Sequence, residues 1–456
     1  MTPRPDESQR RVIERRRALS PAKVVALSFL AAIAVGTLLL LLPFSQTPGQ
    51  PVSLLDAFFT ATSALCVTGL VVVDTGSAWT PFGQGVILLL IHIGGLGLVT
   101  LGTLLALLLG RRVGFQERLR VAAQVNALQV GGVVRLVRTI VLVALAFELL
   151  GALLLYPTFA ELHGPGRGTF YAFFHSVSAF NNAGFALYPD SLMRFVGDPV
   201  VNLVITSLFI LGGLGYIVQL NVWANLRQPR RFPLTLHSRL VLLVTLLLCL
   251  GGTGMVLMLE WGNPQTLGAL PLPDRLLASF FQGVTPRTAG FNTLDYALLN
   301  EPTLLFTMLL MFIGGSPGST AGGIKTVTFF VLVASALSMV RGRGELTLFG
   351  RRVSALTVVK AGSVALLSSG IAVTALFVLS ATQDLPLLPL MFETFSAFGT
   401  VGLSTGVTGE LNPAGKLLVI VLMYLGRIGP TTFAIALLQQ AHADRIKYPE
   451  EGVLVG

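Results

Sequence analysis

Charge is scarce in this sequence. Only 11% of its 456 residues are Asp, Glu, Lys or Arg, while 53% are hydrophobic. A soluble domain carries about 25% charged residues. So little polar surface cannot cover a soluble particle of this length, which leaves a chain of many membrane spans. Cysteine is nearly absent. Cys66 and Cys249 lie in separate apolar runs, with no spacing that makes a disulfide framework or a metal site. Five histidines supply no His/Asp or Ser/His constellation, and no HExxH, GxSxG or paired metal ligands occur. An enzyme of the common intramembrane kinds is thereby disfavoured.

Basic residues are missing over long stretches, with neither Lys nor Arg between Val24 and Gly110. They gather at 4–23, 111–138, 227–239 and 341–360, with Arg445 and Lys447 near the end. The net charge of +10 therefore reads as the positive-inside pattern, with those clusters cytoplasmic, and not as a nucleic-acid surface. The apolar run from Val24 to Leu42 is longer than the ~7–15 residues of a signal-peptide core. It reads as a retained first span.

About 20 apolar residues cross a bilayer. Eight candidates follow: 24–43, 80–109, 132–157, 199–225, 236–260, 302–340, 354–381 and 414–440. An even number puts both termini on one side, the cytoplasm. The sixth run is too long for one span, and Gly314, Gly315, Ser316, Pro317, Gly318, Ser319, Thr320, Ala321, Gly322 and Gly323 interrupt it. Such backbone survives at membrane depth only against protein or a watery cavity.

Between spans one and two, three and four, five and six, and seven and eight lies a Phe-rich segment too short to cross. Each ends in a glycine loop: Gly69, Gly184, Gly290 and Gly402. Ten residues before these stand Phe59, Phe174, Phe280 and Phe392. Some 25 residues beyond stand Gly94, Gly212, Gly314 and Gly426. Internal repetition of this kind outweighs local signals. It predicts an all-α polytopic membrane protein of four tandem span–re-entrant pore loop–span repeats around one pseudo-four-fold pore. The expected division is a cytoplasmic segment 1–23, repeat 1 at 24–109, a linker at 110–130, repeat 2 at 131–226, repeat 3 at 227–340, repeat 4 at 341–440 and a cytoplasmic tail at 441–456.

The loops read Cys66-Val-Thr-Gly69, Asn181-Asn-Ala-Gly184, Arg287-Thr-Ala-Gly290 and Gly399-Thr-Val-Gly402. None has an acid within three residues before its glycine. Rings of neutral carbonyls suit a dehydrated monovalent cation. The candidate filter is Cys66, Val67, Thr68, Gly69, Asn182, Ala183, Gly184, Thr288, Ala289, Gly290, Thr400, Val401 and Gly402. Arg427 inside span eight is expensive in lipid and a functional candidate. Its candidate role is a fixed positive charge beside the path, with a structural partner as the alternative. Lys325 either faces the inner vestibule or snorkels. Arg287 is expected behind the filter, paired with an acid or a carbonyl. Glu393 is expected to brace the loops, Asn181 and Asn182 to buttress the second, and Glu148 to need a partner. His92 reads as a packed histidine.

The quartet CVTGL, NNAGF, RTAGF and GTVGL, with Gly-Arg-Ile-Gly-Pro430 in the last span, resembles the Trk/Ktr/HKT superfamily of potassium transporters over residues 20–440. Eight spans resemble the bacterial Ktr-type membrane subunit. The resemblance implies potassium uptake, often Na+-dependent, with K+ at the four filter glycines and no cofactor held by this chain. It also implies a cell-membrane homodimer with one pore per subunit, on a cytoplasmic nucleotide-binding (RCK-type) ring. Residues 314–323, with Lys325 and Arg427, would form the gate; a packed Pro-Gly kink is the alternative. A Na+ or weakly selective monovalent cation transporter of the same fold is the rival reading. Gly318 to Thr326 imitates a phosphate-binding loop, but Ile324 separates Gly323 from Lys325 where the pattern needs them adjacent. All four loops face one way, which disfavours an inverted-repeat transporter.

Overall fold

The structure is a computed structural model that describes residues 21–97 and 133–429. The stretches 1–20, 98–132 and 430–456 lie outside it, and with them the linker at 110–130, the C-terminal tail and the later residues of the expected spans 80–109 and 414–440.

Helix after helix follows the apolar runs. The first repeat has α1 (Pro21–Leu40), a short pore helix α2 (Leu54–Leu65) and α3 (Pro81–Leu96). The second begins with one continuous helical run, Val133–Phe180, broken only at Gly164, whose φ is 75°. Pro165 follows and disfavours helical backbone in the residue before it. The run is therefore two helices, α4 (133–163) and pore helix α5 (165–180). Then come α6 (Pro199–Leu214) and α7 (Tyr216–Arg227). The third repeat has α8 (Leu236–Glu260), pore helix α9 (Leu272–Val284), α10 (Glu301–Phe312) and α11 (Thr326–Val340). A two-residue hairpin pairs β1 (Thr347–Leu348) with β2 (Arg351–Arg352). The fourth repeat has α12 (Ala355–Thr382), pore helix α13 (Leu387–Gly399) and α14 (Pro413–Ile428).

Three second spans start alike. Thr80, Asp198 and Asn412 accept backbone N–H bonds at the helix start, and Pro81, Pro199 and Pro413 take the first turn, where a missing N–H costs nothing. Long apolar side chains on the first spans, Leu38, Leu153, Leu366 and Phe377 among them, point away from the protein. A soluble fold would bury them; lipid does not require it. The four-repeat, all-α membrane architecture expected from sequence is the one observed.

Two expectations are corrected. Span four, read as one run over 199–225, is two helices bent by 100° at Gly215, whose φ is 88°. The third pore segment is one residue shorter than a gap-free register allows. Phe281, not Phe280, is fully buried like Phe59, Phe174 and Phe392. Thr285 supplies the loop hydroxyl where the other repeats use Ser63, Ser178 and Ser396.

Candidate selectivity filter and gate

Each pore helix delivers its loop by the same local chemistry. The backbone N–H of Thr68 bonds back to Ser63 O, that of Ala183 to Ser178 O and that of Val401 to Ser396 O, all at 2.8 Å. Ala289 bonds to Thr285 O at 3.0 Å. The hydroxyls bracket the loops. Ser63 Oγ accepts from Gly69 N at 3.1 Å and donates to Leu70 O at 2.7 Å. Ser178 and Thr285 donate to Phe185 O and Phe291 O, and Ser396 accepts from Gly402 N at 3.1 Å.

Two residues before each glycine the backbone is left-handed: Val67 (φ 57°), Asn182 (58°), Thr288 (67°) and Thr400 (49°). Three of the four are β-branched, for which positive φ is a genuine outlier. Each such residue costs about 1–3 kcal/mol and persists where the surroundings over-determine it. The glycines are left-handed too, with φ of 94°, 70°, 79° and 93° for Gly69, Gly184, Gly290 and Gly402.

The four glycines meet. A methyl built on Gly69 would lie 3.1 Å from Gly184 Cα; on Gly184, 2.7 Å from Gly290 Cα; on Gly290, 2.5 Å from Val401 O; and on Gly402, 3.0 Å from Gly69 Cα. The carbonyl oxygens of Ala183, Ala289, Val401 and Thr68 lie against Gly69, Gly184, Gly290 and Gly402 of the neighbouring loops. Cys66 caps the first pore helix with a free, buried thiol. All thirteen filter candidates thus sit in one ring of loops.

The glycines 25 residues on have a packing reason. A side chain on Gly94, Gly212 or Gly426 would collide with Leu65 O, Phe180 O or Phe398 O, carbonyls in the last turn of three pore helices. Gly314 instead meets Gly322 O, because in the third repeat a loop has taken that place.

That loop, residues 313–325, joins α10 to α11. It is closed at its neck by Gly314 N donating to Ile324 O at 2.8 Å. Gly318 and Gly323, at φ 71° and 66°, supply its turns. It is held under the ring. Ser316 and Thr320 donate N–H bonds to Gly213 O and Gly212 O, and Tyr216 N donates to Gly318 O at 3.1 Å. Thr320 Oγ1 donates to Asn182 Oδ1 at 2.7 Å. Gly322 lies against Thr400, and Gly315 against Ala321 and Ser319. Pro317 O abuts Gly215. Arg427 donates to Thr320 O and Gly94 O, tying the loop to α3. Lys325 folds back onto Ala321 O at 2.8 Å, so it caps its own loop.

Around the ring, some buried polar groups find partners, while the hydroxyls of Thr68, Thr288 and Thr400 have none among the described residues. Glu393 accepts from Thr408 at 2.7 Å and Ser404 at 2.9 Å, bracing the chain beyond the fourth loop. Glu148 accepts from Asn181 Nδ2 at 2.7 Å and pairs with His92 at 3.1 Å. Arg287 lies behind the third loop, but its partners are Cys249 Sγ at 3.6 Å and Thr245 Oγ1 at 3.4 Å. Among the described residues, the expected acid or carbonyl is not hydrogen-bonded to it, because the α8 face behind this loop offers a thiol and a hydroxyl. Asp74 and Asp295 cap short helices, and Asp190 pairs with Arg194.

A gap-free sequence register sets Val284, not Thr285, opposite Ser63, Ser178 and Ser396 and gives the hydroxyls no role. It misses the left-handed residues and the helix ends at Gly97, Gly215 and Gly429, which share φ of 85°, 88° and 87°. Their common place at the end of a GlyGlyLeuGly or GlyArgIleGly string was the available signal.

Four tandem repeats that put strained, carbonyl-presenting loops in one ring define a membrane transport protein of the pore-loop class, not an enzyme. A family model described as "TrkH: Cation transport protein" matches residues 13–446, and the chain belongs to that family. It is 47% identical over 438 residues to the Ktr system potassium uptake protein B of Bacillus subtilis, covering 96% of this chain and 97% of the relative. It is 39% identical over 448 residues to the potassium/sodium uptake protein NtpJ of Enterococcus hirae, covering 97% and 98%. The crystal structure of the potassium transporter TrkH from Vibrio parahaemolyticus superposes with a TM-score of 0.73 at 21% identity, over 92% of this chain and 86% of that one. That likeness speaks to the fold.

Proposed function

We propose that this chain is the pore-forming subunit of a Ktr-type system that takes up K+ across the cell membrane, with both termini in the cytoplasm. The observation that carries the reading is the closure of Gly69, Gly184, Gly290 and Gly402 into one ring of backbone carbonyls. Carbonyl oxygens replace a hydration shell without the fixed charge that would hold a divalent ion tightly. Glu393, in the fourth pore helix, is occupied by two hydroxyls.

In this reading residues 314–323, with Lys325 and Arg427, are the gate. The loop lies directly under the ring, and Arg427 pins it through a backbone carbonyl. The functional units are the repeats 24–109, 131–226, 227–340 and 341–440. The relative named as part of a Ktr system supports a regulatory partner, here an RCK-type ring beneath a homodimer. The relative named for both potassium and sodium favours Na+ as activator or second cargo.

The deciding experiment is flux in proteoliposomes with K+ and Na+ varied separately. Rb+ or K+ uptake, stimulated or not by Na+, is expected. Uptake of Na+ alone would overturn the K+ reading in favour of a Na+ transporter of this fold.

A further inference from the structure

Helix α7 is the part of the molecule that the pore does not explain. It leaves α6 at 100°, so a spanning α6 sets α7 close to the plane of the bilayer, on the side of the candidate gate. Its outward residues are apolar or aromatic. Trp223 is 55% exposed, Leu226 77% and, in the following turn, Phe232 44%. Arg227, Arg230, Arg231 and Arg239 are exposed beside them, with Arg227 lying 3.8 Å over the Trp223 ring and Arg231 5.5 Å over Phe232. No Asp or Glu occurs between Pro199 and Leu259. No ion pair joins these four arginines to a carboxylate among the described residues. The basic patch at 341–360 differs, since Arg352 pairs with Glu345 at 2.6 Å.

A helix in the interface plane, with Trp and Leu on its outer face and uncompensated arginines at its end, has the chemistry of a surface that binds anionic headgroups. Its other end is bonded to the gate. Tyr216, the first residue of α7, donates its N–H to Gly318 O at 3.1 Å, and Gly215 abuts Pro317 O. The lever is short: α7 has 12 residues.

We propose that α7 and the turn after it bind the phosphate headgroups of anionic lipids in the gate-side leaflet, and that this docking biases the loop 313–325. The coupling half rests on the gate reading above; the binding half does not. Two measurements on the full chain, without its regulatory partner, separate them.

The first is quenching. In the Trp261→Phe variant, Trp223 and the buried Trp79 are the remaining tryptophans, and a Trp223→Phe control isolates Trp223. Brominated phosphatidylglycerol diluted into phosphatidylcholine should quench Trp223 more than brominated phosphatidylcholine at equal mole fraction. Arg230→Gln with Arg231→Gln should remove that preference, and Lys at both positions should keep it. Equal quenching by the two lipids overturns the binding site.

The second is Rb+ uptake in vesicles of phosphatidylcholine alone and with an equal part of phosphatidylglycerol. Uptake should differ severalfold between the two for the native chain. The double Gln variant should show the phosphatidylcholine rate in both, and inorganic phosphate should not substitute for lipid. A surface-potential effect on cation concentration alone would act on native and variant chains equally, and that result overturns the coupling. So does an unchanged lipid response in a Gln variant that has lost binding of the regulatory subunit, which would make the patch a protein-docking surface. A chain that carries no cation fails the uptake reading, while the quenching still decides the binding site.

Discussion

At the filter, single atoms decide what fits. Each ring glycine has a positive φ and faces another loop's backbone at less than a methyl's clearance. Gly184→Ala should therefore abolish Rb+ uptake in a chain that still reaches the membrane, since its Cβ would lie 2.7 Å from Gly290 Cα and neither backbone can yield. Gly402→Ser should lower the preference for K+ over Na+, measured as the ratio of uptake rates; an unchanged ratio would remove Gly402 from the filter. Ser63→Ala strips Gly69 N and Leu70 O of a shared partner. Leaving buried groups unpaired costs about 1–3 kcal/mol, to be read as a lower melting temperature together with weaker selectivity. The glycines were legible in the sequence because four copies align. The left-handed Val67, Thr288 and Thr400 were not, because β-branched residues ordinarily avoid that conformation. The one-residue offset of the third segment was hidden by adjacent phenylalanines, Phe280 and Phe281, either of which satisfies the pattern.

Helices and loops set what moves. Hydropathy located the spans closely, with 236–260 expected and Leu236–Glu260 found. It could not see the bend at Gly215, because an apolar residue scores the same whether the helix continues or turns. The break in the sixth run was legible, since ten small or breaking residues cannot stay helical in lipid. Deleting 315–322 should raise Rb+ flux in proteoliposomes if this loop occludes the path; a chain that no longer accumulates in the membrane would make it a packing element. Arg427→Gln replaces the guanidinium, which donates to two carbonyls, with a shorter, neutral amide. It should also raise flux and leave K+/Na+ preference intact, because the filter carbonyls lie elsewhere.

For the whole molecule, the basic clusters and the even span count argue for a single orientation. Arg343→Cys, in the exposed turn before β1, should react with a membrane-impermeant thiol reagent only from the cytoplasmic side. The native thiols at Cys66 and Cys249 are buried and give little background. Labelling from outside would invert the assignment. Cross-linking in the membrane should give a dimer if two pores assemble as proposed. Four-fold organisation was legible from the sequence because repeats state it directly. Assembly between chains was not, because it depends on surfaces that, in lipid, need no distinctive composition.

The four quarters of the ring are encoded separately, and among the described residues only the third carries a long loop within its second span. In a pore built from four identical chains, one mutation alters every quarter at once. Here a substitution falls on one corner and leaves three intact, so selectivity can drift by small heritable steps. The same arrangement lets occlusion evolve in one quarter without burdening the others.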